Sequence, residues 1–103
     1  MARILSDIVD IPTATTRVQL STVEEEVLTI TFKAPSGNTG DVYIGDISVA
    51  AAVGFSLSPG DALTLDPSQG YQETGIPHSL KLSEIYIDAA TSGNDVEYVA
   101  LVV

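Results

Sequence analysis

The stretch Val27-Leu28-Thr29-Ile30-Thr31-Phe32-Lys33-Ala34 alternates strictly, with Leu28, Ile30 and Phe32 on one side and Thr29, Thr31 and Lys33 on the other. A period of two is what a half-buried β-strand imposes, because successive side chains point to opposite faces of a sheet. The one stretch with any helical character, Ser21-Thr22-Val23-Glu24-Glu25-Glu26-Val27-Leu28, carries a weak capping pattern from Ser21 to Glu24. It runs directly into the alternating segment, so it reads as a turn entering a strand.

The same grammar continues outward. Pro35-Ser36-Gly37-Asn38-Thr39-Gly40 is a loop rich in residues that tolerate positive φ. Residues 41–45 read as a strand with Val42 and Ile44 inward and Tyr43 outward, and residues 47–51 as a short one. Leu57-Ser58-Pro59-Gly60-Asp61 is a turn, since Pro suits its second position and Gly its third. Residues 62–65, 82–89 and 96–103 read as further strands, and 66–81 as the longest irregular stretch. The cores Val42-Tyr43-Ile44 and Ile85-Tyr86-Ile87 echo each other, a coincidence common in β-rich chains or a sign of equivalent places in two sheets. The chain has 11 Val, 9 Ile and 10 Thr in 103 residues, with 8 Gly and 5 Pro between them. β-branched runs closed by turn residues at short intervals predict an all-β fold. We expect a small antiparallel β-sandwich or jelly-roll-like barrel of seven or eight short strands.

Two segments depart from plain alternation. In residues 1–16, Ile4, Leu5, Ile8, Val9 and Ile11 are apolar without a consistent period. This stretch is set off as an N-terminal arm that either packs on its own domain or docks on a neighbouring subunit. Residues 17–103 then form a single β-sandwich domain. In the last strand Val96, Tyr98, Ala100 and Val102 share one face, and Glu97, Val99, Leu101 and Val103 the other. Beyond Glu97 both faces are apolar. Either the strand is central and covered on both sides, or Val99, Leu101 and Val103 meet another chain.

Charge and composition exclude several functions. With 14 acids against 4 bases the formal charge is −10. Four scattered cations, Arg3, Arg17, Lys33 and Lys81, cannot neutralise a phosphate backbone, so neither nucleic acid nor an anionic membrane is an expected partner. There is no cysteine, hence no disulfide, thiol nucleophile or cysteine metal site. Gly54-Phe55-Ser56-Leu57-Ser58 begins like a nucleophile elbow but lacks the closing glycine. His78 is the single histidine and sits after Ile76-Pro77, where a polar loop role suffices. Asp41, Asp46, Asp61, Asp66, Asp88 and Asp95 fall at strand ends or turns, positions that local backbone hydrogen bonds explain. Asn94-Asp95 with Asp88 is the best calcium candidate, yet no calcium-loop motif is present. We therefore expect no enzyme, no cofactor and no metal. Glu24-Glu25-Glu26 reads as a solvated turn or as a contact for a basic partner.

The run Gly37-Asn38-Thr39-Gly40-Asp41-Val42-Tyr43-Ile44-Gly45-Asp46, followed by Gly54-Phe55-Ser56-Leu57-Ser58-Pro59-Gly60-Asp61-Ala62-Leu63-Thr64-Leu65, resembles a group of small virion proteins of tailed bacteriophages. Leu82-Ser83-Glu84-Ile85-Tyr86-Ile87-Asp88-Ala89-Ala90 and Asp95-Val96-Glu97-Tyr98-Val99 continue the likeness, and Thr16-Arg17-Val18-Gln19-Leu20-Ser21 looks like the usual first strand. The resemblance implies a capsid decoration (cement) protein that bridges neighbouring subunits of the major capsid protein, commonly as a homotrimer. A tail, baseplate or fibre β-module is the alternative. Its place would be the virion exterior, after assembly in the host cytoplasm. Two features depart from the pattern: the 66–81 loop is longer than usual and the arm unusually apolar. They supply the candidate partner contacts Ile4, Leu5, Ile8, Val9, Ile11, Tyr71, Ile76 and His78. Val99, Leu101 and Val103 form the candidate oligomer face.

Overall fold

The last strand organises the fold. In the computed structural model, which describes residues 3–50, 53–66 and 80–102, β8 (Asn94–Val102) lies between β1 (Arg3–Ile11) and β3 (Val27–Lys33), and β3 in turn pairs with β6 (Ala62–Leu65). These four strands, in the order β1-β8-β3-β6, make the front sheet. The back sheet has the order β2-β7-β4-β5, from β2 (Val18–Gln19), β7 (Tyr86–Ala89), β4 (Val42–Gly45) and β5 (Phe55–Leu57). Every pairing is antiparallel. The chain passes front, back, front, back, back, front, back, front, which is the double Greek-key path of an eight-stranded jelly roll. The expected all-β sandwich is the observed architecture.

The core fills the space between the sheets. From the front come Ile11, Ile30, Phe32, Val96, Ala100 and Val102, all with no solvent exposure; from the back come Val42, Ile87 and Ala89, equally buried, with Ile44 and Leu57 nearly so. The two apolar-Tyr-Ile segments of the sequence lie side by side in the back sheet, Ile44 opposite Ile87. They are neighbours in one sheet and not equivalents in two.

Several local expectations change. The alternation of β3 holds for Ile30 and Phe32, but a bulge between Val27 and Thr29 reverses the parity below them. Val27 is thus buried and Leu28 only partly so. Residues 47–51 do not form a strand over the described positions: Asp46 Oδ1 accepts hydrogen bonds from Ser48 N–H (2.9 Å) and Ser48 Oγ (2.5 Å), closing a turn there. Ala50 and Val53 then make a single bridge. Gly54 follows at φ +127°, where a Cβ would sit 2.9 Å from the Ile44 carbonyl oxygen. The strand expected at 82–89 starts with a 3-10 turn, Leu82–Glu84, that buries Leu82 and sets Ile85 inward before β7 begins.

The boundary expected at residue 17 is also corrected. The stretch set off as an arm pairs with β8 over nine positions, from Arg3 opposite Val102 to Ile11 opposite Asn94. It is the first strand of the jelly roll. Its start is tied down by an ion pair between the Arg3 guanidinium and Glu25.

The Asn38-Thr39-Gly40 loop is fastened to the start of β8 by side chains that imitate a strand. Asn38 donates to the Asp95 carbonyl and accepts from its N–H, both at 2.9 Å. The buried Asn94 accepts from Thr39 N–H at 3.0 Å and donates to the Gly40 carbonyl at 3.3 Å. Asn94→Ala removes these part-buried bonds to Thr39 and Gly40, so urea denaturation should show a loss of about 0.5–1.5 kcal/mol. An unchanged midpoint would mean that the loop does not depend on Asn94.

Candidate functional site

The face of the front sheet turned away from the core is the most distinctive surface. Register fixes its rows. Ile4 lies opposite Leu101, which lies opposite Thr29. Ser6, Val99, Thr31 and Thr64 form the next row, and Ile8, Glu97, Lys33 and Ala62 the one after. Asp10 and Asp95 end the face. Ile4 is 71% exposed, Ile8 62% and Val99 55%, values unusual for large apolar side chains standing together. A shallow, open depression of about 380 Å³ runs between Ser6, Ile8, Thr31, Lys33, Glu97 and Val99. Thr31 and Thr64 share a hydrogen bond of 3.0 Å across its far side.

The candidate residues divide on this geometry. Ile4 and Ile8 of β1 stand on the same face as Val99 and Leu101 of β8, so the two groups separated in the sequence merge into one surface. Leu5 and Val9 point the other way and pack against the core, and Ile11 is wholly buried. Those three are core residues and not free contacts. Among the described residues β8 is central in its sheet and has its inner face in the core, with Val99 on the outer face exposed. Tyr71, Ile76, His78 and Val103 lie outside the described residues.

The acidic end of the face has its own electrostatics. Burial raises the Asp95 carboxyl above the ordinary aspartate value, a hydrogen bond with Asp10 adds to this, and the charges of Asp10 and Glu97 push it further. On the inner side, burial holds the Tyr98 phenol above its usual value, partly offset by a hydrogen bond with Ser21. Asp46 is the opposite case: the side-chain hydrogen bond from Ser48 and then its backbone N–H lower it. Asp88 is buried with Oδ1 accepting from Ala89 N–H at 2.7 Å, and Asn94 Oδ1 accepts from Thr39 N–H at 3.0 Å. Among the described residues no group of three or more metal-ligating side chains converges.

A second concavity escaped the sequence reading. It is an apolar cleft of about 330 Å³ at one open side of the sandwich, lined by Ile44, Phe55, Leu63, Leu65, Leu80 and Ile85, with Asp46 and Glu84 at its border. Phe55 shares a face of β5 with Leu57; Leu57 is buried whereas Phe55 is 56% exposed. The period of two gives that shared face, but which end of a three-residue strand reaches the core is a tertiary matter.

Because folding raises the affinity of Asp95 for its proton, this group favours the folded state only while protonated, and that favour is lost as pH rises through its folded value. Asp95→Asn should therefore raise the melting temperature at neutral pH, with the gain shrinking on acidification into the carboxylate range. A gain independent of pH, or a loss, would contradict the assignment.

No family model matches the chain, and no curated protein does. Solved structures do. A chain from Bacillus endospore appendages, described as a novel family of disulfide-linked pili, superposes with a TM-score of 0.54 at 12% identity, covering 98% of this chain and 85% of that one. A de novo designed double-stranded β-helix gives 0.47 at 9% identity, covering 96% of this chain and 97% of that one. The Drosophila NLP core, described in connection with pentamer formation and histone binding, gives 0.48 at 9% identity, over 100% of this chain and 97% of that one. At 12% identity the likeness to the appendage chain is one of fold alone.

Proposed function

We infer that the protein is a structural component of a bacteriophage virion, a capsid decoration protein that docks on the head shell through the outer face of its front sheet. The observation that carries this reading is the apolar group of exposed Ile4, Ile8 and Val99 with half-buried Leu101, gathered on one face of a rigid jelly roll. Such a face serves binding, since burying it against a partner removes apolar surface from water at about 25 cal/mol per Å². The sequence resemblance supplies the kind of partner, neighbouring subunits of a major capsid protein, and the stoichiometry, a homotrimer. A cement protein acts by mass action: it binds the assembled shell and not its dissociated subunits, and so raises the shell's stability. The charge of −10 suits a surface kept away from packaged nucleic acid.

The experiment is a reconstitution. Added to head shells that lack it, the protein should bind and raise their melting temperature, with three copies at each occupied position of the reconstituted shell. The double variant Ile8→Asp with Val99→Asp changes only exposed positions of the outer face, so its circular dichroism should match the parent. Its shell affinity should fall at least about tenfold, or ~1.4 kcal/mol. Unchanged affinity in a folded double variant would remove this face from the account, and failure of the parent to bind any shell would remove the decoration role.

A further inference from the structure

We propose that the free edge of β1 is a self-pairing surface, which joins a second copy of this chain about a two-fold axis through Ser6. The inference does not rest on the virion reading, because it uses the edge of the strand and the isolated protein.

The front and back sheets end in four edge strands. β2 has 2 residues, β5 has 3 and β6 has 4, whereas β1 has 9. A long edge is a template for strand addition unless something blocks it, and the usual blocks are proline, charged side chains or a bulge. Between Arg3 and Ile11 β1 has no proline, lysine or bulge and pairs with β8 without a register shift; its charges are Arg3, Asp7 and Asp10. Its outer edge has no strand partner among the described residues.

The hydrogen-bonding parity of that edge is fixed by the rest of the sheet. Both backbone groups of Asp95 are taken by Asn38 on the β3 side, so Asp95 and its like-facing neighbours in β8 turn away from β1. Antiparallel alternation then gives the β1-facing bonds to Asn94, Val96, Tyr98, Ala100 and Val102. Their partners are Ile11, Val9, Asp7, Leu5 and Arg3. The amides and carbonyls of Ile4, Ser6, Ile8 and Asp10 therefore point to the open edge. One of these groups is guarded, since Asp7 Oδ1 accepts the Ile8 N–H at 2.8 Å.

The sequence of β1 complements itself in one register. With Ser6 opposite Ser6 of the second copy, Ile4 meets Ile8 of that copy and Ile8 meets its Ile4. Three of the four outward-pointing positions, Ile4, Ser6 and Ile8, then fall in hydrogen-bonded pairs, about six backbone bonds in total. Arg3 of each copy lies diagonal to Asp7 of the other, but its guanidinium is already held by Glu25, so the register rests on the backbone bonds and the Ile4–Ile8 pairs. Centring on Asp7 would instead set Asp7 against Asp7 and Ile4 against Asp10. Centring on Leu5 would use fewer of the outward groups. The Ser6 register extends the front sheet from four strands to eight and brings the exposed Ile4 and Ile8 of both copies together on one face. The contact is isologous, so it closes at two copies.

The test uses the absence of cysteine in this chain. Ser6→Cys gives a single thiol on the axis, and mild oxidation of the dilute protein should yield a covalent dimer on a denaturing gel, at least tenfold faster than Thr64→Cys on the opposite edge strand. Equal rates would overturn the proposal. Ser6→Pro removes a donor that β8 does not use, and Ile8→Lys places an ammonium group at the edge; each should abolish dimers in sedimentation equilibrium with β-sheet circular dichroism retained. Both folded variants dimerising like the parent would overturn it, as would a parent that stays below dimer mass at millimolar concentration. The reading also requires that added salt strengthen the dimer, because two copies of charge −10 repel. These outcomes are obtained without shells, so they are separate from the success or failure of shell docking.

Discussion

The pairing of the first strand with the last is the contact on which the molecule depends. β8 has its inner row, Val96, Tyr98, Ala100 and Val102, in the core, and it needs a neighbour on each side to satisfy its backbone. β3 supplies one and β1 the other. Without β1, β8 would become an edge, and Ile11, Leu5 and Val9 would leave the core they help to close. The chain's two extremes are thereby held in one sheet, and the intervening strands wrap between them as a jelly roll. The Arg3–Glu25 ion pair at one end and the bond from Gly93 N–H to the Ile11 carbonyl (2.9 Å) at the other fix the pairing lengthwise.

That same arrangement produces the surface with functional potential. A strand with apolar residues on both faces must cover both or display one. β1 uses Leu5, Val9 and Ile11 inward and leaves Ile4 and Ile8 outward, beside Val99 and Leu101 of β8. The display is confined to the β1–β8 half of the sheet. Toward β3 and β6 the rows end in Thr29, Thr31, Lys33 and Thr64, and toward Asp10 and Asp95 the face becomes acidic. An apolar field bounded by hydroxyls and carboxylates has the anatomy of an association surface, with a dry centre and a solvated rim.

Much of the fold was legible because its strongest signals are local. The period of two in Ile30 and Phe32, the inward Val42 and Ile44 and the Pro59-Gly60 turn all sit where elementary strand and turn chemistry puts them. What was not legible depends on partners distant in sequence. Apolar residues on both faces of Arg3–Ile11 hid its period, and only β8 lying alongside reveals which face is inner. The bulge that buries Val27 in place of a fully buried Leu28 is a property of the β3–β8 pair. Leu82 and Ile85 were read as strand residues, yet three positions apart they both reach the core through a 3-10 turn. The candidate site was half legible: Ile4, Ile8, Val99 and Leu101 were singled out, but as two separate elements. The side-chain bonds of Asn38 and Asn94, which give the Asn38-Thr39-Gly40 motif its structural meaning, were invisible until the loop met β8.

The central claim is that the outer face of the front sheet, centred on β1 and β8, is where this protein meets its neighbours. An electron cryo-microscopy map of head shells reassembled with the protein tests it most directly. The account predicts density on the shell exterior with Ile4, Ile8, Val99 and Leu101 turned into a contact and the back sheet facing solvent. Density in which that face points to bulk water, or no density on the shell at all, would contradict it.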